Sequence, residues 1–449
     1  MKAEILWAWR RLNANYWFYP ALFALTALVL GFVCLWVDRS GNAEWLNDFA
    51  WDYVWLDPAR PEGASTMLQV IAGSMIAVAS TVFSITIVAV SYASANYGPR
   101  LLINFMEDKG NQLSLATFIG TFVFALTVLR TVRAADEPPV DATLATSAFP
   151  GFVPQLSLLV AFILMLVSVA VLVFFLNHVP SSIRINKVIA GIGRRLLRAV
   201  KQTYPQEGSE DGPDRRKSGE ALLARKPGYV QLIDFGELEK LARRYECEFT
   251  LAVRTGDFLH EDLPMLEISG NECSEEEQEQ IRGCFTLGFA RTPEQDPQFL
   301  IDELVEIGLR ALSPGINDPF TAVTALHWLG AATAKIGSRL LVKDVCGQDA
   351  EHCPVHPLAD DFRHYVQRGF GAMRSAVATN PIAAKVMLEV LCNVAQALES
   401  EDRRQVLLEE ARHLREQALI ALDGPDKREV EARFDELLPG YRQENLIPD

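Results

Sequence analysis

Residues 65–99 read STMLQVIAGSMIAVASTVFSITIVAVSYASANYGP, without a charged side chain until Arg100 follows. The apolar part, 67–93, exceeds the roughly 20 residues that a helix needs to cross a bilayer, so the stretch predicts a membrane span. Within it Gly73, Ala77, Ser80, Ser84, Ile87, Ser91 and Ser94 recur at alternating steps of four and three. That is coiled-coil spacing, and it makes one helix face small and mildly polar. Ile71, Val78, Phe83, Ile85 and Val90 give the remaining surface bulk suited to lipid or to large neighbours. Two readings of the small face stand open. In lipid, small residues let helix backbones approach and hydroxyls bond across the contact, which makes a packing seam. The same face repeated around a symmetry axis lines a narrow pathway for water or ions.

Three further runs clear the length threshold, at residues 20–37, 113–132 and 154–176. Lys2, Arg10 and Arg11 precede the first, but no small-residue cleavage site follows it, and Trp36 with Asp38 marks an interface; the reading is an uncleaved span. Arg100 and Lys109 lie between the second and third spans, and Arg184, Lys187, Arg194, Arg195 and Arg198 follow the fourth. The positive-inside rule puts these segments and both termini in the cytoplasm. Asp48, Asp52, Asp57, Glu62, Asp136, Glu137 and Asp141 weight the opposite loops with acid. Trp45, Phe49, Trp51, Tyr53 and Trp55 in the first of those loops suit an interfacial helix or re-entrant hairpin.

The chain has 449 residues and a formal charge of -15, so a basic nucleic-acid footprint is absent. The apolar content falls mainly in the N-terminal half, which predicts a membrane part and a soluble part. The seven cysteines are scattered and odd in number, and with most of them on the cytosolic side they predict reduced thiols. Cys346, His352, Cys353 and His356 lack a standard zinc spacing and read as a polar loop. No P-loop, dinucleotide fingerprint, nucleophile elbow or His-Glu-x-x-His motif occurs. The expectation is therefore neither an enzyme nor a cofactor or metal binder. The spans hold no ionisable residue between their ends except Arg130 near the exit of the third, which argues against proton-coupled transport. Arg130 and Arg133 either snorkel to outer headgroups, pair with acids such as Asp136, or form an outer basic ring that favours anions.

At the inner end of the second span Gly98 and Pro99 predict a helix-breaking elbow, which is either a hinge by which a soluble domain acts on the span or a plain helix-turn-helix connection. Thr117, Gly120, Phe124, Thr127 and Thr131 give the third span a second small or hydroxylated face. His178, at the end of the fourth span, is either a pH-sensing group or an interfacial hydrogen-bond partner. A basic amphipathic helix over residues 181–200 is placed against anionic lipid.

Residues 201–226 read as a flexible linker and 227–272 as a small α+β module: strands at 229–233, 248–254 and 265–268, and a helix at 235–245 capped by Asp234. From 273 to 449 the pattern is helical, with helices near 361–378, 381–398, 402–422 and 427–438. Asp296-Pro297 and Asp318-Pro319 each place a capping acid before a proline at the first helical position. Ser313, Pro314, Asn317, Asp318 and Pro319 form a helix-cap corner between two of these helices. The fold class is thus mainly α: a four-span membrane domain (residues 1–200), the linker, a cytosolic α+β module and a C-terminal helical domain.

Asn96-Tyr97-Gly98-Pro99-Arg100-Leu101-Leu102, Gly110-Asn111-Gln112, Leu129-Arg130, Gly228-Tyr229-Val230-Gln231 with Asp234, Arg291-Thr292, Gln295-Asp296-Pro297 and residues 312–322 together resemble the bacterial "predicted membrane protein" family built on a domain of unknown function. The Ser-Pro-Gly-Ile-Asn-Asp-Pro run is the most specific element. The resemblance spans nearly the whole chain and implies a bacterial inner-membrane protein without an established activity; Gly98 stands where members usually have serine. The reading is a homo-oligomeric passive ion channel or channel-like sensor with a regulatory cytosolic domain open to a small-molecule or ion ligand. The alternative is a non-conducting scaffold or sensor that binds a cytosolic partner. The bilayer and further copies of the chain are the expected partners.

Overall fold

The computed structural model describes residues 15–40, 60–98, 108–133, 151–208, 219–343, 345–346 and 352–438. The aromatic outer loop, Pro99, the segment after it and residues 209–218 of the expected linker lie outside them. The chain forms two units, Met1–Arg184 and Ile185–Asp449.

The first unit consists of α1 (Phe18–Arg39), α2 (Pro61–Tyr97), α3 (Lys109–Leu129) and α4 (Gln155–Ser182), all long and apolar enough to cross a membrane. The third helix is the centre of the unit: 56% of its most apolar window is buried, against 22–33% in the others. Its Gly120 meets Phe23 of α1, and Thr127 meets Gly31 of α1. Thr121 and Ser168 share a buried hydroxyl hydrogen bond of 2.9 Å between α3 and α4. The small face of the third span is therefore a seam inside the chain, where small residues permit close backbone approach. At 37 residues the second helix is about 55 Å long at 1.5 Å per residue, so it runs past the ~30 Å hydrocarbon core.

The second unit begins with α5 (Ile185–Thr203). This helix was expected with the membrane domain, its arginines facing anionic lipid. Its apolar face is spent on protein: Ile189, Ile192, Leu196 and Val200 are buried, and α5 packs on α8 (Pro297–Ala311) and α9 (Pro319–Gly337), while Arg194 and Arg198 are exposed. Gly193 lies against the Trp328 indole, where any Cβ would overlap the ring, and Arg195 donates to Glu303 at 3.2 Å. An amphipathic stripe fits lipid and protein equally well, which is why the sequence alone did not separate them. The expected linker also carries structure: α5 continues to Thr203, Tyr204 is fully buried, and β1 (Glu220–Leu223) is a strand.

The α+β module follows the expected order, β2 (Gly228–Ile233), α6 (Phe235–Tyr245) capped by Asp234, β3 (Cys247–Leu251) and β5 (Pro264–Gly270), with an additional short strand β4 (Phe258–Leu259) before β5. It extends past residue 272. After α7 (Glu275–Arg282), β6 (Phe285–Gly288) completes a β4-β2-β6 sheet, and β7 (Val355–His356) joins a β1-β5-β3-β7 sheet. Strands of four and two residues are too short to show periodicity, so this region read as wholly helical.

The remaining helices are α10 (Phe362–Val366), a π turn (Gln367–Gly371), α11 (Ala372–Val377), α12 (Pro381–Ala397), α13 (Glu401–Ala421) and α14 (Gly424–Leu437). Cys346 and Cys353 are joined in a disulfide with Cα atoms 5.7 Å apart, which corrects the expectation of reduced thiols throughout. The two Cα atoms, seven positions apart in sequence, lie within bridging range. Cys34, Cys247, Cys273, Cys284 and Cys392 are free thiols. Burial pushes the Cys273 and Cys284 thiols up to about 12 and Cys392 to about 11, so these sulfurs resist ionisation.

Candidate functional site

Along α2 the structure separates two faces. Leu68, Ile71, Ala72, Met75, Ala79, Val82, Thr86, Val90 and Ala93 are buried within the first unit. Gly73, Ala77, Ser80, Ser84, Ile87 and Ser91 are exposed, and Ser94 is half-buried. Gly73 has open space where a side chain would project. Among the described residues the small stripe is thus not covered by another helix. Ile71 and Val90, read from the sequence as facing lipid or a bulky neighbour, point inward, whereas Phe83 and Ile85 are exposed.

The stripe's chemistry is mild. Ser80 donates to the Ile76 carbonyl at 2.9 Å and Ser84 to the Ser80 carbonyl at 2.9 Å. Back-bonding of this kind satisfies the hydroxyl proton within the helix and leaves oxygen lone pairs on the surface. Gly98 ends α2 with φ +122°, a conformation that glycine adopts without strain, and its N–H bonds the Ser94 carbonyl at 3.2 Å.

Polar groups gather at the end of the unit where α3 begins. Asp108 caps α3 by accepting from the Asn111 N–H at 3.2 Å, and the same carboxylate lies 2.9 Å from His178 Nε2 of α4. Phe174 stacks on the imidazole at 5.0 Å. Gly110 makes this pairing possible, since a Cβ there would overlap the ring. Asn111 Oδ1 is buried without a hydrogen-bond partner among the described residues. At the opposite end Arg130 is the exposed C-cap of α3, and the Arg133 backbone pairs with Phe152 through two hydrogen bonds of 3.1 Å. The two arginines sit at one helix end.

In the second unit the corner is built as the sequence predicts. Ser313 donates to the Arg310 carbonyl at 2.6 Å, and its own carbonyl accepts from the Ile316 and Asn317 N–H groups. Asn317 takes φ +48°, a left-handed turn position that asparagine tolerates. Asp318 accepts from the Thr321 N–H and hydroxyl, at 3.2 and 2.6 Å, and Pro319 opens α9. Pro314, Gly315, Ile316 and Asn317 are exposed.

A cleft that the sequence did not reveal lies between the π turn and α13. It has a volume of about 420 Å³ and is lined by Arg363, Gln367, Gly371, Arg374, Glu410 and His413 among others. Glu410 is 4% exposed; one carboxylate oxygen accepts from Arg374 at 2.8 Å, and the other, Oε1, has no hydrogen-bond partner among the described residues. Burial raises its pKa. The cleft's one sequence signal is Gly369 and Gly371, within a helical stretch. In the Cys346, His352, Cys353, His356 group two members form the disulfide, and His356 lies 3.1 Å from Glu248.

Residues 13–393 match the family described as "Predicted membrane protein (DUF2254)". The chain belongs to this family. Uncharacterized proteins of Mycobacterium bovis and Mycobacterium tuberculosis are 29% identical to it over 354 residues. That match covers 77% of this chain and 66% of each relative, so the chain spans just under two thirds of their length. No solved structure matches. Membership accords with the four membrane-capable helices and brings the corner, the second-span stripe and the α+β module of this DUF2254 protein into one family unit, since all three lie within the matched residues.

Proposed function

We propose that this protein is a homo-oligomeric passive channel or channel-like sensor of the bacterial cytoplasmic membrane, not an enzyme, with cytoplasmic termini and a regulatory soluble unit. The observation that carries this reading is the exposed stripe on α2. A row of glycine, alanine and serine packs poorly against acyl chains and well against another helix, so a second copy is its natural cover. Closure of identical copies around an axis turns the stripe into the lining of a pathway. The cleft beside the π turn supports a regulatory soluble unit: its unpartnered Glu410 oxygen calls for a small ligand that donates a hydrogen bond.

The back-bonded serines favour a second reading, in which the oligomer forms but does not conduct and serves as a scaffold for a cytosolic partner. Ion flux in proteoliposomes separates the two. In a channel, Ser84→Leu and Ser91→Leu change flux while the oligomeric mass is kept. In a scaffold, the wild type gives no flux under voltage, tension or pH change, and both variants dissociate.

A further inference from the structure

The helices of the second unit run parallel or antiparallel to one another, and this collects exposed apolar side chains at one end of the unit. Gly193 of α5 faces Trp328 of α9, and beyond both C-termini Gln206 accepts from Leu340 at 3.2 Å, so α5 and α9 run parallel. Gly330 and Gly337 of α9 meet Val390 and Leu398, so α12 runs the same way. Arg403, at the start of α13, donates to the Gly337 carbonyl at 3.0 Å, and α13 therefore runs back. Arg368 pairs with Asp302, and Met373 meets Gly308, which brings the end of α11 level with the end of α8.

The starts of α5, α9 and α12 and the ends of α8, α11 and α13 thus lie at one end of the bundle. Leu309, Ile316, Phe320, Ile382 and Ile420 are there, from 37% to 86% exposed. They are five of the nine large apolar residues exposed among the described residues of the unit. Phe320 and Ile316 are held outward on the rigid, capped corner. Covalent continuity identifies what lies nearby. Only Ile183 and Arg184 separate the last residue of α4 from the first of α5, a reach of about 11 Å at 3.8 Å per residue. The chain thus passes from the fourth membrane-capable helix into the start of α5 within two residues.

We propose that this apolar end, led by Phe320 and Ile420, is seated in the phospholipid headgroup layer of the leaflet at which the fourth span ends. Isolated exposed apolar residues need no explanation, but a cluster at the end tethered to a span is the arrangement that interfacial insertion uses. Lys187 and Arg310, the latter also 3.5 Å from Glu306, are basic side chains at the same end. The proposal does not depend on conduction.

The test uses the full chain in phospholipid nanodiscs, with p-benzoylphenylalanine incorporated at position 320, 420 or 289 and illuminated. Phe289 is 95% exposed but precedes Arg291 at the opposite end of α8, about 22 Å away at 1.5 Å per residue. Lipid adducts at 320 and 420 that exceed those at 289 by about tenfold are expected from an interfacial position. Adducts to protein alone at 320 and 420, whether to the membrane unit or to a second copy, would overturn the proposal, as would lipid yields equal to that at 289. Three exposed positions keep the result readable if one variant does not fold.

Discussion

Asp38 at the end of α1 and Ser157 in the first turn of α4 are joined by two hydrogen bonds, from the Ser157 N–H at 3.0 Å and its hydroxyl at 2.6 Å. The other carboxylate oxygen accepts from the Leu156 N–H at 2.9 Å. A carboxylate from one span thus caps another, where the helix dipole favours negative charge. Both residues lie at the outer end if the positive-inside rule holds, and the link sets the spacing of the first and fourth spans.

Asp38→Ala should lower the stability of the detergent-solubilised protein by about 0.5–2 kcal/mol, the range for loss of an N-terminal cap. Asp38→Asn should cost less, because the amide oxygen still accepts one bond. Thermal unfolding of the three proteins in one detergent checks this, and equal losses from both variants would show that the charge matters more than the cap.

Asp318 does for α9 what Asp38 does for α4, within its own corner. Asp318→Ala is expected to destabilise the second unit by about 0.5–2 kcal/mol, with Asp318→Asn milder. Urea unfolding of the full chain, followed by tryptophan emission from Trp328 against the other indoles, reports it. Loss of function from both variants at unchanged stability would point instead to a charge-dependent binding role.

These caps were legible from the sequence because Asp-Pro pairs and apolar periodicity are local signals. Asp234, Asp296 and Asp318 cap the helices that they were expected to cap. The helix 235–245 was read to the residue, and 381–397 to within one. Asp38 was read only as an interface residue, since its partners are more than a hundred residues away. The same non-locality hid the docking of α5, the strands β6 and β7 and the cleft at Glu410. Alternation of small residues showed the stripe on α2 and the stripe on α3 alike. Only packing distinguishes them, because α3 spends its stripe on α1 and α2 leaves its own uncovered.

His364 is half-buried beside Gln298, and burial followed by the nearby Arg254 and Arg368 charges lowers its pKa from the ordinary 6.5. The unfolded chain therefore binds this proton more readily than the folded one. Stability from this group is present above pH ~6.5 and is lost as pH falls through the lower folded value. His364→Gln should flatten that slope in urea midpoints measured between neutral and mildly acidic pH; an unchanged slope would assign it to other groups.

Membrane orientation has two indicators that pull apart. The Lys/Arg asymmetry puts both termini in the cytoplasm, whereas the Cys346–Cys353 disulfide suits an oxidising compartment. Cys247 and Cys273, unjoined with sulfurs 3.7 Å apart, side with the first. Reporter tags at the N-terminus, beside Lys109 and at the C-terminus are expected to be cytoplasmic, and tags near Asp57 and Asp141 external. External labelling beside Lys109 would reverse the topology.

The claim that the exposed stripe of α2 is covered by another copy is tested most directly by cysteine cross-linking in native membranes. Single substitutions Ala77→Cys, Ser84→Cys and Ser91→Cys follow the stripe at seven-residue intervals, and Ile85→Cys stands off it. Oxidation should give covalent dimers at all three stripe positions above the parent chain's background and none at Ile85, the pattern of a parallel contact around an axis. Dimers with no preference for the stripe, or none at any position, would contradict the account and leave the small face in contact with lipid.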